Sequence, residues 1–330
     1  QAIIVVGDID VDQIEQKIKD MFGPISAREN PRAREDYQIP DHKETLATIE
    51  TDPEAQYLIV QLHYKHDPID LKDMGYYRQT VVHQLYNSMM NKRLQELLQQ
   101  ENPPFIYGFT SYSSMVRTKD SYMSFALAKN DGITRTLDAL LIENERVKRY
   151  GFTQTELDRT KKEILSQNEK RYNERDKQKN DAYVWQYFSH FLEDEPIPGI
   201  EFDYAFMQSM VPEITLDEIN NLAAKWITDE NRVAVITGPQ KEEIVMPSKE
   251  DIILMVESIG DKKIEPYIDK VSNQPLLAEE PAPGQIVSKI PNEALGTEEC
   301  VFDNGVKVVL KKTDFKEDEI LMRAFSFGGA

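Results

Sequence analysis

Residues 57–64 alternate without a break, with Leu58, Val60, Leu62 and Tyr64 on one side and Tyr57, Ile59, Gln61 and His63 on the other. Successive side chains of a strand point to opposite faces, so this run predicts a β-strand with one apolar and one mixed face. The period then changes. From Leu71 to Gln100 the residues Val81, Leu85, Met89, Leu94, Leu97 and Leu98 recur at helical spacing, and Pro103-Pro104 ends the run. A strand that can bury only one face, followed by a long one-faced helix, sets the pattern for what comes before and after.

Upstream, Ala2–Val6 reads as a short buried strand. A helix follows, carrying Ile14, Ile18, Met21 and Phe22, capped by Asp10 or Asp12 and stopped by Gly23-Pro24. Residues 26–44 are polar and contain Pro31 and Pro40, as a linker would. Thr45–Glu50, Ile106–Met115, Ser121–Lys129 and Arg232–Thr237 have strand character. Ile133–Tyr150 is predicted helical with Gly151 as its C-terminal cap. Thr153-Gln154-Thr155-Glu156 is a capping box opening a helix expected to run to about Glu193, although Asn168–Asn180 is almost wholly polar. Thr215-Leu216-Asp217-Glu218 is a second capping box, before a helix through Trp226. From Pro239 to Pro291 the chain is proline-rich, with two short helices expected at Ser248–Ile259 and Lys262–Lys270. Glu298–Phe302 and Val306–Lys312 flank Asp303-Asn304-Gly305 and predict a hairpin with a type I′ turn. Glu319–Phe327 reads as a last strand. The valine- and isoleucine-rich strands ending at Gly7 and Gly238 hint at tandem copies of one module. The chain begins without Met and both its end strands lack neighbours, so it is expected to be an excerpt of a longer protein.

Composition narrows the functional classes. The chain has 330 residues, 58 of them acidic and 39 basic, for a net charge of -19. Such a surface repels phosphate backbones, which argues against nucleic-acid binding. It favours basic or neutral partners, and solubility alone is a sufficient reason for it. No apolar run is long enough to span a bilayer. The single cysteine, Cys300, excludes an internal disulfide and a cysteine-rich metal site, and its place in a strand predicts a buried, inert thiol.

Catalytic signatures are sparse. Of the five histidines, His42, His63, His66, His83 and His190, only His63 and His66 are close, and their spacing in a strand turns the two rings to opposite faces. Helical positions four residues either side of His83 are Gln79 and Asn87, so no paired zinc-ligand motif exists there. No phosphate-binding glycine loop and no nucleophile elbow is present. One junction stands out. Asn91-Lys92-Arg93-Leu94 leads to Phe105-Ile106-Tyr107-Gly108, placing an arginine near a helix end and a tyrosine at the start of a strand. Arginine can grip carboxyl or carbonyl oxygens and tyrosine can donate to an oxyanion, so Arg93 and Tyr107 are candidate peptide contacts; a buried tyrosine at an ordinary helix-to-strand junction is the plainer alternative.

The opening Ala2–Asp10 with its helix, the Arg93-Leu94 to Tyr107-Gly108 stretch, and Phe302-Asp303-Asn304-Gly305-Val306 through Gly328-Gly329 together resemble the pitrilysin/insulinase family of zinc metallopeptidases, whose zinc motif is His-x-x-Glu-His. The similarity is to the large, two-half bacterial members. It implies an α+β fold, each domain a mainly antiparallel sheet with helices packed on one side, with one complete domain and pieces of two others. By this resemblance residues 1–25 are the tail of a catalytic-type first domain and 26–44 a linker. Residues 45–240 are a complete non-catalytic second domain, 241–295 a helical, Pro-rich hinge linker, and 296–330 the N-terminal hairpin of a third domain.

The parent is then expected to be a zinc-dependent metalloendopeptidase degrading peptides in a closed chamber, with zinc bound upstream and none bound by this segment. In the family the active-site Arg and Tyr come from the fourth domain, so no catalytic residue is expected here, and Arg93 and Tyr107 occupy the equivalent place in a non-catalytic copy. Expected partners are peptide substrates and the first, third and fourth domains of the same polypeptide. The implied location is the periplasm or envelope of a bacterium, with the cytoplasm as the alternative. An inactive structural partner subunit of the same family is the second reading. An unrelated helical binding module built around Asn168–Asn180 is the third.

Overall fold

A computed structural model describes residues 2–26, 28–33, 35–69, 74–241, 244–270, 277, 279–314 and 320–326. The chain divides into two compact units, one of residues 1–168 with 179–269, the other of residues 169–178 with 270–330.

The first unit is built on a five-stranded sheet. β1 (Leu46–Asp52), β2 (Leu58–His66), β3 (Tyr107–Val116), β4 (Lys119–Ala128) and β5 (Arg232–Pro239) lie in the order β1-β5-β2-β4-β3. β1 runs parallel to β5, and every other neighbouring pair is antiparallel. The alternation of β2 appears as expected: Leu58, Val60, Leu62 and Tyr64 are buried while Ile59, Gln61 and His63 are half-buried. Helices cover the buried face. α2 (Met74–Leu98) contributes Val81, Leu85, Met89 and Leu94, and α3 (Ile133–Tyr150) contributes Leu137, Leu140 and Leu141. Each such fully buried aliphatic side chain stabilises the fold by roughly 1.5–3 kcal/mol. α7 (Leu216–Trp226) closes the layer with Leu222 and Trp226. The α+β architecture, mainly antiparallel with helices, is therefore observed.

Polar side chains set the register of these layers. Asn91 on α2 reads the backbone of edge strand β3 as another strand would, its Oδ1 accepting from Thr110 N at 2.6 Å and its Nδ2 donating to Thr110 O at 3.2 Å. Asn144 on α3 accepts from the buried Tyr122 hydroxyl at 2.9 Å and donates to Ser124 Oγ at 2.9 Å. Both capping boxes form: Thr153 with Glu156 opens α4 (Gln154–Asn173), and Thr215 with Glu218 opens α7.

Several expectations change. Residues 2–6 form no strand, and Ile3 and Val5 are about half exposed; a strand exists only through its ladder, and these residues have none. α1 (Val11–Phe22) forms, capped by Asp10, but buries no residue. The helix expected to reach Glu193 breaks after Asn173 and resumes as α5 (Asn180–Glu193), because the polar stretch between offers no apolar face to hold a continuous helix. α6 (Ile200–Met210), which composition did not single out, follows Gly199, whose φ of 84° lets the chain turn into it. α8 (Lys249–Glu257) sits where expected, capped by Ser248, but 262–270 has no regular secondary structure rather than a helix.

In the second unit, β6 (Ile286–Asn292), β7 (Thr297–Phe302) and β8 (Lys307–Leu310) form an antiparallel sheet, and β6 is a strand the sequence reading missed. The β7–β8 turn is not type I′. Gly305, at φ 82°, is the turn residue with positive φ, and its N–H bonds to Phe302 O. That is the pattern of a three-residue loop whose glycine takes the left-handed position. Cys300 is buried in β7. Residues 320–326 form no strand; Glu319, Phe327 and the Gly328-Gly329 pair lie outside the described residues, as do Leu71–Asp73 at the expected start of α2.

His83 has an unusual place in this core. Its ring lies 4.7 Å from both Tyr112 and Trp226, and burial, reinforced by the Lys225 ammonium, pushes its pKa down to about 4. A folded-state pKa below the unfolded value means that the unfolded chain binds the proton first as pH falls. The stability tied to this ring is complete above about pH 6.5 and is lost progressively towards about pH 4, by up to about 3 kcal/mol. Urea titrations at pH 7.5 and 4.5 should show this loss, and His83→Phe should reduce it.

Candidate functional site

Arg93 is 2% exposed, and two of its three guanidinium nitrogens are hydrogen-bonded. Nε and Nη2 grip the Glu156 carboxylate at 2.7 and 2.8 Å, and Nη2 also donates to Gly151 O at 3.1 Å. Among the described residues Nη1 has no hydrogen-bond partner, but the group lies 4.1 Å from the Tyr267 ring centre and 4.7 Å from that of Phe152, so aromatic faces take up its charge. The geometry needs a glycine at 151: φ is +71°, and a Cβ there would come within 2.5 Å of the Asn220 amide. Removing one partner from a buried pair strands the other charge. Arg93→Ala should therefore cost about 3–5 kcal/mol in urea denaturation, and Arg93→Met combined with Glu156→Gln should recover most of it.

Tyr107 stands in different surroundings. It is 50% exposed, on edge strand β3, with its ring 5.9 Å from that of Phe109. Register places it beside Leu127 of β4, and Leu127 beside Ile59 of β2. The same rows continue as Phe109, Phe125 and Gln61, then as Ser111, Met123 and His63, with Val235 and Val233 of β5 beyond. Most of these side chains are half-buried, and together they form a broad mixed face on the side of the sheet away from α2 and α3. The alternation in β2 announced part of this face. Phe109, Met123 and Phe125 extend it, and the period-two pattern of 121–128 carried the same signal.

A cavity of about 1020 Å³ opens beside α2, lined by Asp36, Asp67, Asp120, Glu193, Asp194 and Glu195 together with Arg117 and the rings of Tyr76, Tyr112 and His83. Lys119 takes up the Asp67 carboxylate at 2.6 Å. Burial, reinforced by the neighbouring carboxylates, holds the Tyr76 and Tyr112 hydroxyls above the ordinary phenol range. Sequence reasoning missed this cleft, because its walls come from residues far apart in the chain.

The residues present do not fit a zinc ion. Among the described residues no group of three or more His, Cys, Asp or Glu side chains could hold a metal. His63 spends its ring nitrogens on Ser121 Oγ at 3.2 Å and Gln61 Oε1 at 3.1 Å, and His66 Nε2 is 3.1 Å from Trp226 O. Burial lowers the pKa of both rings. His42 and His190 each use Nδ1 on a backbone carbonyl.

Comparison with known proteins places this geometry. Residues 2–164 match the family model described as the peptidase M16 inactive domain. Over 99% of its length the chain is 26% identical to the zinc protease PQQL-like protein of Arabidopsis thaliana and 23% identical to the probable zinc protease PqqL of Escherichia coli. It spans about a third of each relative, 32% and 35% respectively. The crystal structure of the periplasmic protease PqqL from Escherichia coli superposes with a TM-score of 0.67 at 19% identity, covering 93% of this chain and 34% of that one, which establishes the shared fold. The chain is thus similar over nearly its whole length to about a third of the PqqL-like zinc proteases, and its residues 2–164 match the model of the peptidase M16 inactive domain.

Proposed function

We propose that this chain is the non-catalytic middle segment of a zinc-dependent metalloendopeptidase and supplies wall and packing surface to a chamber in which peptides are degraded. The observation that carries the reading is the open sheet face. Helices cover one side of the five-stranded sheet, while the other presents Tyr107, Phe109, Phe125, Met123 and Ile59 in continuous rows beside polar Gln61 and Ser111. A surface of mixed aromatic, aliphatic and amide groups suits an unfolded peptide, whose side chains vary while its backbone does not. The match of residues 2–164 to an inactive domain supports the same reading.

In this proposal the segment is divided as the tail of a catalytic-type domain (1–25), a linker (26–44), a complete non-catalytic domain (45–240), a hinge linker (241–295) and the start of a third domain (296–330). Zinc and the hydrolytic water belong to residues upstream of this segment. Tyr107 keeps the part of a substrate-contacting side chain; Arg93, consumed by Glu156, holds the domain that presents it. The partners are peptide substrates and the remaining domains of the same polypeptide. The periplasmic location of the Escherichia coli relative favours a bacterial envelope over the cytoplasm as the compartment. An inactive chamber subunit of the same family is the second reading, and a degenerate His-x-x-Glu-His motif in the coding sequence upstream would select it.

The purified chain should carry no stoichiometric zinc by elemental analysis and should not cleave a quenched fluorescent peptide. Zinc held at an ordered His/Glu site in this segment would overturn the assignment. In the longer parent enzyme, Tyr107→Ala should raise KM for peptide about threefold to tenfold with little change in kcat, as expected for loss of one aromatic contact of about 1 kcal/mol.

A further inference from the structure

Residues 262–269, within the Lys262–Lys270 span expected to be helical, instead lie without regular secondary structure along α3 and α4. Side chains of those helices take hold of the segment and the turn before it. Arg149 donates to Lys262 O at 2.8 Å, Gly260 O at 2.7 Å and Ile259 O at 3.2 Å. Tyr150 donates its hydroxyl to Ile264 O at 3.0 Å, and Arg146 Nε reaches Glu265 O at 3.0 Å. The Ile264 side chain is 5% exposed and pegs the segment to the core.

Two further contacts fasten its far end. Tyr267 covers the buried Arg93 guanidinium and donates its hydroxyl to Glu96 at 2.8 Å. Asp269 accepts from Arg159 Nη1 at 2.8 Å and from the Thr155 hydroxyl. Asp269 is also the last residue of the first compact unit.

A segment without regular secondary structure makes few backbone bonds of its own, so each captured carbonyl replaces a contact with water and adds modestly to docking. Five captured carbonyls, three in the strap and two in the turn before it, one buried peg and two side-chain latches together hold a strap that its own sequence would leave loose. We propose that residues 262–269 are a latched strap that fixes the point at which the chain leaves the first unit. This goes beyond the peptidase reading and does not depend on it: the strap would act in the same way in an inactive subunit.

Paired spin labels test it in the full chain. Cys300→Ser removes the native thiol, and labels are attached at Ile268→Cys, an exposed strap position, and at Lys162→Cys, an exposed position on α4. Double electron–electron resonance should give one narrow distance. Arg149→Ala with Arg159→Ala should broaden it, while circular dichroism and the melting curve stay those of a folded protein. If that pair fails to fold, Tyr150→Phe with Asp269→Asn removes strap contacts without touching the core and should broaden the distance in the same way. A distribution that is already broad in the chain with native strap contacts, or one that stays narrow in a folded variant, overturns the proposal.

Discussion

The buried ion pair of Arg93 and Glu156 is the joint on which the first unit depends. Taking both charges out of water is costly, and the pair holds only because each is nearly satisfied. Arg93 comes from α2, Glu156 from the first turn of α4, and the carbonyl of Gly151 from the turn between α3 and α4. Glu156 serves twice, since the same carboxylate completes the capping box with Thr153. Phe152 and Tyr267 flank the guanidinium, so the strap rests on the same charge. Four pieces of chain are thus positioned by one arginine, and its burial keeps it away from any ligand at the surface.

The sheet faces show how a scaffold of this kind can be stable and still present a binding surface. Its stability comes from the side covered by α2, α3 and α7, where Leu58, Val60 and Leu62 are at most 3% exposed. The opposite side contributes less to the fold and is correspondingly free to vary. Tyr107 belongs to that side, whereas Arg93 belongs to the interior. Two residues that looked like partners in one motif have separate tasks, because a helix-to-strand junction turns one inwards and leaves the other at an edge.

Local signals in the sequence were legible where a single element decides its own shape. The alternation of β2, the span of α3, the glycine after it and both capping boxes follow from side-chain spacing and from hydrogen bonds between residues a few positions apart. What failed depended on distant partners. Ala2–Val6 has strand composition, but no ladder receives it. Lys262–Lys270 looked like a short helix because nothing local says that Arg146, Arg149 and Tyr150 will take its carbonyls. Asn304-Gly305 suggested one turn type, and the structure uses another in which only the glycine needs a positive φ. The acidic cleft was invisible for the same reason: Asp36, Asp120 and Glu193 meet only after folding. Of the candidate site, the motif residues were readable one by one, but their division into core and surface was not.

The strand order has a consequence for how this chain comes to be folded. β5 lies between β1 and β2, with Leu46 opposite Val233 and Tyr64 opposite Arg232. During synthesis β1 and β2 emerge early, yet β1 can join the sheet only after β5 has left the ribosome. Until then β1 has no place in the sheet, and β2 exposes along one side the hydrogen-bonding edge meant for β5. Closing a loop of that length delays assembly and leaves an adhesive edge open to other chains. For this protein the vulnerable moment is the wait for its last central strand, and a chain interrupted before residue 232 would lack the strand that joins β1 to the rest of the sheet.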